Sequence, residues 1–472
     1  MTEQVLADLK AALGAEGVLE GADCAPWSRD WNGMYFWQPL CVVRPRSTAE
    51  VSAVLRIAHG SGTAVVPVSG NTSLAGGTKG EASIMLSLDR MNRIREVRAE
   101  ARLAVVEAGV IMSELHAAAE ARGLTFPMTF GAKGSARVGG FLSTNAGGSN
   151  VLRYGNTRDL VLGLEAVMAD GQVMNLMSEL HKDNSGLNLK HLLIGAEGTL
   201  GVITAAVVKL VPTPGAYATA TVATATLEDA LVLLNRLQAA TGGAVEAFEY
   251  MCERHMQVYQ DQLYPQKRWP FEGRHPVTIL VEVGATAPRD VTPGDDGQVP
   301  VVGYLEEVLA GLMEEGTVLD AVVARSEGQR REMWERREAA AEVSLTRHPL
   351  IITDIAVGID RVPQFLSRFR ERLPQVDPGA DGTVVSHLGD GNVHYTVWPS
   401  SQDPALAEAI MEMVEDEALA LGGSFSAEHG IGLSKKGSMA RRKDKVAVAA
   451  MKAIKAALDP RDILNPGKVF PD

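Results

Sequence analysis

Three stretches in the first half of the chain gather glycine and hydroxyl residues directly behind segments that read as strands, and no other feature narrows the fold as far. They span 67–78 (PVSGNTSLAGGT), 131–148 with its continuation to Asn156, and 195–201 (GAEGTLG). In such a turn consecutive backbone N–H groups converge on an anion such as a pyrophosphate. The first stretch is neither GxGxxG nor GxxxxGK[ST], and alone it reads as a hairpin loop just as readily. Three loops at strand ends let an extended ligand lie against backbone at several points, which favours a large cofactor over ordinary turns.

With 472 residues the chain exceeds one ordinary core, so at least two domains are expected. Between 51 and 211, short β-branched segments predict strands at 64–68, 84–88, 103–108, 160–169 with an Asp170-Gly171 turn, and 201–210, as one α+β unit. Pro212, Pro214 and Gly215 break the last of these and put a boundary near 213. Beyond it the pattern reads strand, helix, strand from 218 through a helix at 227–238 to 247, then a strand at 276–284 and a turn-rich loop at 287–300. A helix at 301–315, a long charged helix at 329–345 and a strand at 350–357 follow. Two successive βαβ-like stretches suggest a sheet with helices on one face, in the ferredoxin-like manner. A helix at 404–421, a glycine-containing loop and a last helix before Asp459-Pro460 complete the chain, giving expected divisions at 1–212, 213–424 and 425–472.

Composition excludes several classes. The chain is 46% hydrophobic and 22% charged, as in soluble globular proteins. Its net charge of −13 opposes nucleic acid and anionic lipid, and the one locally basic run, 435–445, reads as a solvated helix face. Cys24, Cys41 and Cys252 are scattered without CxxC spacing, which suits reduced thiols and no cysteine metal site. The first twenty residues do not resemble a signal peptide and no apolar run is long enough to span a bilayer, so a cytoplasmic protein is expected. Trp27, Trp31, Tyr35, Phe36 and Trp37 crowd one stretch of a chain with only 5% aromatics; buried packing is the commoner use of such a cluster.

The segment SHLGDGNVH (386–394) carries chemistry. Asp390-Gly391 is a preferred centre for a two-residue type I′ turn, which would pair 389 with 392, 388 with 393 and His387 with His394. Directly opposed Cβ atoms lie about 4.5–5.5 Å apart, from which two imidazoles reach one metal ion. A third ligand must come from elsewhere, and SAEHGIG (426–432) offers Glu428 and His429 side by side. The alternative is a cross-strand pair of ordinary histidines and a loop carboxylate.

The stretch from Phe126 to Thr204, with PVSGNTS before it and DPRDILNPGK (459–468) at the end, resembles the vanillyl-alcohol-oxidase/PCMH-type FAD fold. More closely, from about Trp31 onward, the chain is similar to the FAD-dependent D-2-hydroxy-acid dehydrogenases, the group holding D-2-hydroxyglutarate and D-lactate dehydrogenases. The resemblance implies an α+β protein: an FAD-binding domain, a ferredoxin-like substrate (cap) domain carrying the metal hairpin, and a C-terminal helical segment returning to the FAD domain. It implies FAD contacts at Ser69, Gly70, Asn71, Thr72, Ser73, Ser135, Gly140 and Asn145 around the pyrophosphate, and at Gly201, Ile203 and Asn465 along the nucleotide and ring. Relatives that bind the flavin covalently through the first loop use a histidine there; Asn71 implies a dissociable FAD.

The same resemblance implies His387, His394 and Glu428 as ligands of a divalent ion, zinc or alternatively manganese, with His429 as the neighbouring base. Arg337, three residues after Trp334, matches an arginine that binds a substrate carboxylate; without the family it reads as a helix-surface arginine in an i,i+4 ion pair. Arg337, His387, His394 and His429 then form the substrate-binding set. Ala341, Ile352 and Thr396 depart from the 2-hydroxyglutarate pattern, and Ile351-Ile352-Thr353-Asp354 looks more like the D-lactate side of the family. The implied reaction is oxidation of a D-2-hydroxy acid of the D-2-hydroxyglutarate, D-lactate or D-malate type to the 2-oxo acid, the hydride leaving Cα for the flavin and the proton going to a histidine. An FAD oxidase of glycolate or another alcohol, and a non-catalytic flavin subunit of an electron-transfer complex, are the alternatives. Implied partners are an electron-transfer flavoprotein, a quinone or a cytochrome as acceptor and a second copy of the chain in a homodimer, with no nucleic acid.

Overall fold

Short apolar runs such as Cys41–Val43 and Ile84–Ser87 are buried at every position, as parallel strands covered on both faces must be. The computed structural model describes residues 2–31, 33–295 and 297–472; positions 1 and 32 of the expected first domain and position 296 of the expected surface loop lie outside the described residues. The chain divides into two units. One holds residues up to Gly147, Gly155–Thr213 and Glu428–Asp472; the other holds Gly148–Tyr154 and Pro214–Ala427.

In the first unit β1 (Val18–Leu19), β2 (Cys41–Val43), β3 (Val65–Val68) and β4 (Ile84–Ser87) form a sheet in the order β1-β2-β4-β3, with β2, β4 and β3 parallel. Helix Thr48–Ser61 packs Val51, Val54 and Leu55 into one apolar cluster with Val65, Ile84 and Leu86. The Ser47 hydroxyl caps it by accepting the Glu50 N–H at 3.2 Å. A second sheet, antiparallel throughout, takes β5 (Ile94–Arg98), β6 (Leu103–Glu107), β8 (Val161–Val167), β9 (Val173–Leu176) and β10 (Val202–Lys209) in the order β5-β6-β10-β8-β9; the short strands β7 (Leu124–Thr125) and β11 (Val211–Pro212) pair with each other. The expected α+β unit thus contains two main sheets and a two-stranded pair, and the strands missed by the sequence reading are the shortest or the most exposed.

The C-terminal segment joins β3. Val65 N–H donates to the Ile463 carbonyl at 2.7 Å and Asn465 N–H to the Val65 carbonyl at 2.8 Å. A buried cation holds this segment. Lys455, in helix Lys445–Leu458, is 8% exposed and donates to the Asp459 carboxylate at 2.6 Å, the Leu464 carbonyl at 2.8 Å and the Thr199 carbonyl at 3.0 Å. The Asp459 carboxylate also accepts the N–H groups of Ile463 and Leu464. All three ammonium protons find acceptors, which makes its burial tolerable.

The second unit is built on one antiparallel sheet: β12 (Ala216–Thr224), β13 (Val245–Cys252), β14 (Val277–Ala285), β15 (Val318–Val323), β16 (Ile351–Ile352), β17 (Ile355–Ala356), β18 (Asp381–His387) and β19 (Asn392–Trp398). The order is β15-β12-β14-β13-β18-β19-β16, with β17 also on β19. Its first four strands, with crossover helices Leu227–Thr241 and Pro300–Glu314, follow the ferredoxin-like order. On one face those helices, with Val362–Val376 and Pro404–Ala420, enclose a largely apolar core around Phe248, Ile279, Val393 and Val397.

The other face is buried yet polar. Thr219, Thr221, Glu249, Thr278, Glu282 and Thr396 are each at most 4% exposed. Helices lie on this face too, contrary to expectation: Met256 of Glu253–Val258 and Met333 of Glu327–Glu338 pack on Met251, Leu280 and Val385. Buried polar groups need partners, and Glu282 accepts from Thr219 at 2.7 Å, from Arg330 at 2.6 and 2.7 Å, and from the Trp334 indole at 2.9 Å. His255, fully buried, bonds the Arg336 carbonyl through Nε2 at 2.8 Å.

Three further expectations are corrected. The helix at 329–345 ends at Glu338 and resumes as Ala340–Ser344, because Ala339, with ψ 4°, leaves the helical path. The strand at 350–357 is interrupted between β16 and β17, where the Thr353 hydroxyl, not its carbonyl, receives the Tyr395 N–H at 3.2 Å. Helix Val362–Val376 was not foreseen; Pro363 and Pro374 disguise it, although proline is welcome in a first turn. Trp37 is buried beside Trp27 and Tyr35, whereas Trp31 and Phe36 are exposed. Among the described residues no helix is long and apolar enough to cross a membrane.

Removing the buried ammonium with Lys455→Met should destabilise the protein by about 3 kcal/mol, by leaving the Asp459 charge without its counterion. A denaturation midpoint near that of the parent chain would contradict this. Burial lowers the His255 imidazole from the usual 6.5 to about 4. The unfolded chain therefore binds a proton that the folded chain refuses, and stability falls as pH drops through that window. His255→Gln should lose less thermal stability than the parent between about pH 7.5 and about pH 5.

Candidate active site

The histidine hairpin differs from expectation in register. The His387 carbonyl accepts both the Asp390 and the Gly391 N–H at 3.1 Å, so 388–391 form a four-residue loop. His387 stands level with Asn392, and His394 with Val385. The direct opposition of His387 and His394 is therefore wrong by two residues. A two-residue shift leaves both on the same face, since side chains alternate with period two. The rings meet diagonally, centroids 5.5 Å apart and planes at 84°, with a nitrogen of each within 4.8 Å of one on the other. Gly391, at φ 85°, is required here, because a Cβ would run into the Val357 carbonyl oxygen.

Glu249 of β13 stands level with His387. Its Oε1 lies 2.8 Å from His387 Nδ1, and its Oε2 accepts from Arg337 Nε at 2.7 Å. Burial alone would raise this carboxyl; His387 and Arg337, which both hydrogen-bond it, outweigh burial and hold it below the usual carboxylate range. Arg337 is 8% exposed and buried by this pairing, so the helix-surface reading fails; the i,i+4 pair belongs to its neighbour Arg336, with Glu332, at 2.7 Å. With Nε committed to Glu249, the end of the guanidinium is the part suited to a substrate carboxylate. Arg337 Nη2 also lies 3.4 Å from His387 Nδ1.

Asp354 sits in the break between β16 and β17, 2% exposed. Asn392 Nδ2 donates to it at 3.2 Å, and one of its oxygens lies within 4.8 Å of a His394 nitrogen. Its carbonyl accepts the Ala427 N–H at 3.2 Å. Glu428 and His429 follow directly in sequence, both half-buried, in the segment assigned to the first unit. Of the three departures, Thr396 shares a 2.7 Å hydrogen bond with Ser344, while Ala341 and Ile352 are exposed.

The glycine-rich loops converge within the first unit. A Cβ at Gly70 would strike the Ser135 carbonyl oxygen, and one at Gly140 would come within 3.2 Å of Ser69 Cβ. Glu197 N–H donates to the Ser143 carbonyl at 2.8 Å, which draws the third loop to helix Val138–Thr144. Asn465 Nδ2 donates to the carbonyls of Gly77 at 3.0 Å and Glu197 at 2.8 Å. Asn71, at φ 51°, donates to the Arg29 carbonyl and accepts from Thr78; Thr72 and Ser73 follow in the same loop, the Ser73 hydroxyl receiving the Ala75 N–H at 3.4 Å. Asn145, also left-handed at φ 52°, accepts the Arg158 N–H at 2.9 Å. Gly201 and Ile203 are buried at the start of β10. Ser69 Oγ and Asn465 Oδ1 are buried polar atoms with no partner among the described residues. Close backbone approach beside two such atoms fits a bound dinucleotide with many hydrogen-bonding groups.

Sequence reasoning missed Glu249, Asp354, Glu197 and Lys455. A signal for Glu249 did exist: β13 carries two acids, Glu246 and Glu249, among apolar residues, and each must be paired if the strand is central. Glu197 lay inside a loop already singled out; its carboxylate accepts the N–H groups of Ile431 at 2.7 Å and Gly432 at 2.8 Å, and burial raises its pKa.

Comparison with known proteins agrees with both halves. An FAD binding domain model matches residues 39–177, and the model for the C-terminal domain of FAD linked oxidases matches 213–469. A D-2-hydroxyglutarate dehydrogenase from Xanthomonas citri pv. viticola is 34% identical, with 100% of this chain and 98% of that one covered. One from Stutzerimonas stutzeri is 32% identical, with 100% of each covered, and the mitochondrial one from Bos taurus is 34% identical, with 100% and 84% covered. Among solved structures, p-cresol methylhydroxylase with substrate bound matches at a TM-score of 0.76 and 16% identity, covering 100% of this chain and 97% of that one. 4-Ethylphenol oxidase from Gulosibacter chungangensis matches at 0.71 and 18%, again covering 100% and 97%; both share the fold. The chain belongs to the FAD-dependent D-2-hydroxy-acid dehydrogenase family, FAD-linked oxidoreductases that act on a CH–OH group.

Proposed function

We propose that the enzyme oxidises a D-2-hydroxy acid to the 2-oxo acid with the help of a divalent ion, zinc or manganese, held by His387, His394 and Glu428. D-2-hydroxyglutarate, the substrate in its relatives' names, is the first candidate. A D-lactate type of substrate is the second, favoured by the exposed apolar side chain of Ile352 on the strand beside Thr396, and a D-malate type, with its second carboxylate, is the third. The observation that carries the reading is the edge-to-face imidazole pair with one Nδ1 anchored on a buried carboxylate.

When bound, FAD supplies a hydride acceptor and the ion a Lewis acid for the substrate's hydroxyl and carboxylate oxygens. The chain's residues do the rest. Arg337 presents the end of its guanidinium to a carboxylate, kept in place by Glu249. His429 takes the hydroxyl proton as the Cα–H bond breaks and the carbonyl forms; an imidazole accepts a proton readily near neutral pH. Ser69, Gly70, Asn71, Thr72, Ser73, Ser135, Gly140, Asn145, Gly201, Ile203 and Asn465 hold the flavin without a covalent bond, the Asn71 amide being a side chain that forms none. An electron-transfer flavoprotein, a quinone or a cytochrome reoxidises it, and the enzyme works as a homodimer. The free thiols of Cys24, Cys41 and Cys252 favour the cytoplasm.

Anaerobic mixing of the FAD-loaded enzyme with a panel of D- and L-2-hydroxy acids should bleach the flavin with D isomers only, and a chelator should prevent it until zinc or manganese is restored. Bleaching by glycolate alone, or by nothing in the panel, would overturn the reading. His394→Ala should keep its FAD absorbance and lose reduction by about 100-fold or more. Undiminished turnover would remove the ion from the mechanism.

A further inference from the structure

We infer that Glu249 is a positioning residue that sets the tautomer of His387 and the orientation of Arg337 through a single buried carboxylate. This rests on the metal reading above. Glu249 is 1% exposed and lies on a central strand, level with Leu280 on one side and His387 on the other. An ionised carboxylate only accepts hydrogen bonds. At 2.8 Å from Oε1, His387 Nδ1 must therefore carry the proton, and the lone pair is left on Nε2, the nitrogen a metal would take. The 3.4 Å approach of Arg337 Nη2 to the same Nδ1 is then no hydrogen bond, since both are donors. The second oxygen takes Arg337 Nε at 2.7 Å and fixes which edge of the guanidinium is spent. Two groups with different tasks, one for the ion and one for the substrate, are thus held by one anchor.

Glu249→Gln tests this with almost no change of shape. An amide has one oxygen for two donors, so its NH2 group must face either Arg337 Nε or His387 Nδ1. Facing the histidine, it demands the Nε2–H tautomer, which offers the ion no lone pair at that nitrogen. The metal-free, FAD-loaded parent, Glu249→Gln and His387→Ala would be titrated with zinc against a chromophoric chelator. FAD absorbance and thermal midpoint report folding. Cobalt(II) absorption reports ligand geometry.

Glu249→Gln should retain FAD, bind zinc about 10- to 100-fold more weakly and shift the cobalt bands. Zinc binding and cobalt bands equal to the parent's would overturn the role of Glu249 alone, whereas a parent that takes up no ion would sink the metal reading and this role with it. In case the variant does not fold, imidazole nitrogen NMR of the metal-free parent, with the signal assigned by its loss in His387→Ala, should show Nδ1 protonated; an Nε2–H tautomer would overturn the inference.

Discussion

A sheet that buries both faces but fills one of them with polar side chains has to find partners for them from within. In the second unit two carboxylates, Glu249 and Glu282, are each shared among several donors, while among the described residues the Thr278 hydroxyl and His255 Nδ1 find no partner. Helix Glu327–Glu338 supplies Arg330, Trp334 and Arg337 at spacings of three and four residues, so one helix face delivers all three to the sheet. The helix is polar on both sides, its outer face because it meets solvent and its inner face because of what it covers. The imidazole pair is tied to this layer by the contact of His387 Nδ1 with Glu249.

Much of the architecture was legible from the chain, and for a physical reason. Strands of β-branched residues and helices with an apolar stripe announce their period, and Pro212, Pro214 and Gly215 end a strand unmistakably. What escaped was decided by hydrogen bonds that a local pattern does not encode. The hairpin loop has four residues because the His387 carbonyl gathers two N–H groups, and the edge strand breaks because a threonine hydroxyl replaces a carbonyl. Proline hid a helix by resembling a breaker where it is in fact an opener.

The candidate residues divide in the same way. Gly70, Gly140 and Asn465 came from the family resemblance, and around them the structure shows close backbone packing at the two glycines and an asparagine amide bonded to the Gly77 carbonyl. Arg337 was found as a family match, and its burial turned the surface reading aside. Glu249 stayed hidden because its partners, His387 and Arg337, lie 138 and 88 positions away, and pairing over such distances is set by strand order.

Lys455 brings out something about how the polypeptide reaches its native form. The strand pairing of Val65 and the tether on Thr199 both depend on residues beyond 450, so the nucleotide-binding unit is discontinuous, with the sheet unit inserted into its sequence. On a ribosome the inserted unit emerges whole while its host still lacks its last strand-like segment. The pairing of Val65 with Ile463 and Asn465 and the tether of Lys455 on Thr199 can therefore form only after the whole insert has been synthesised.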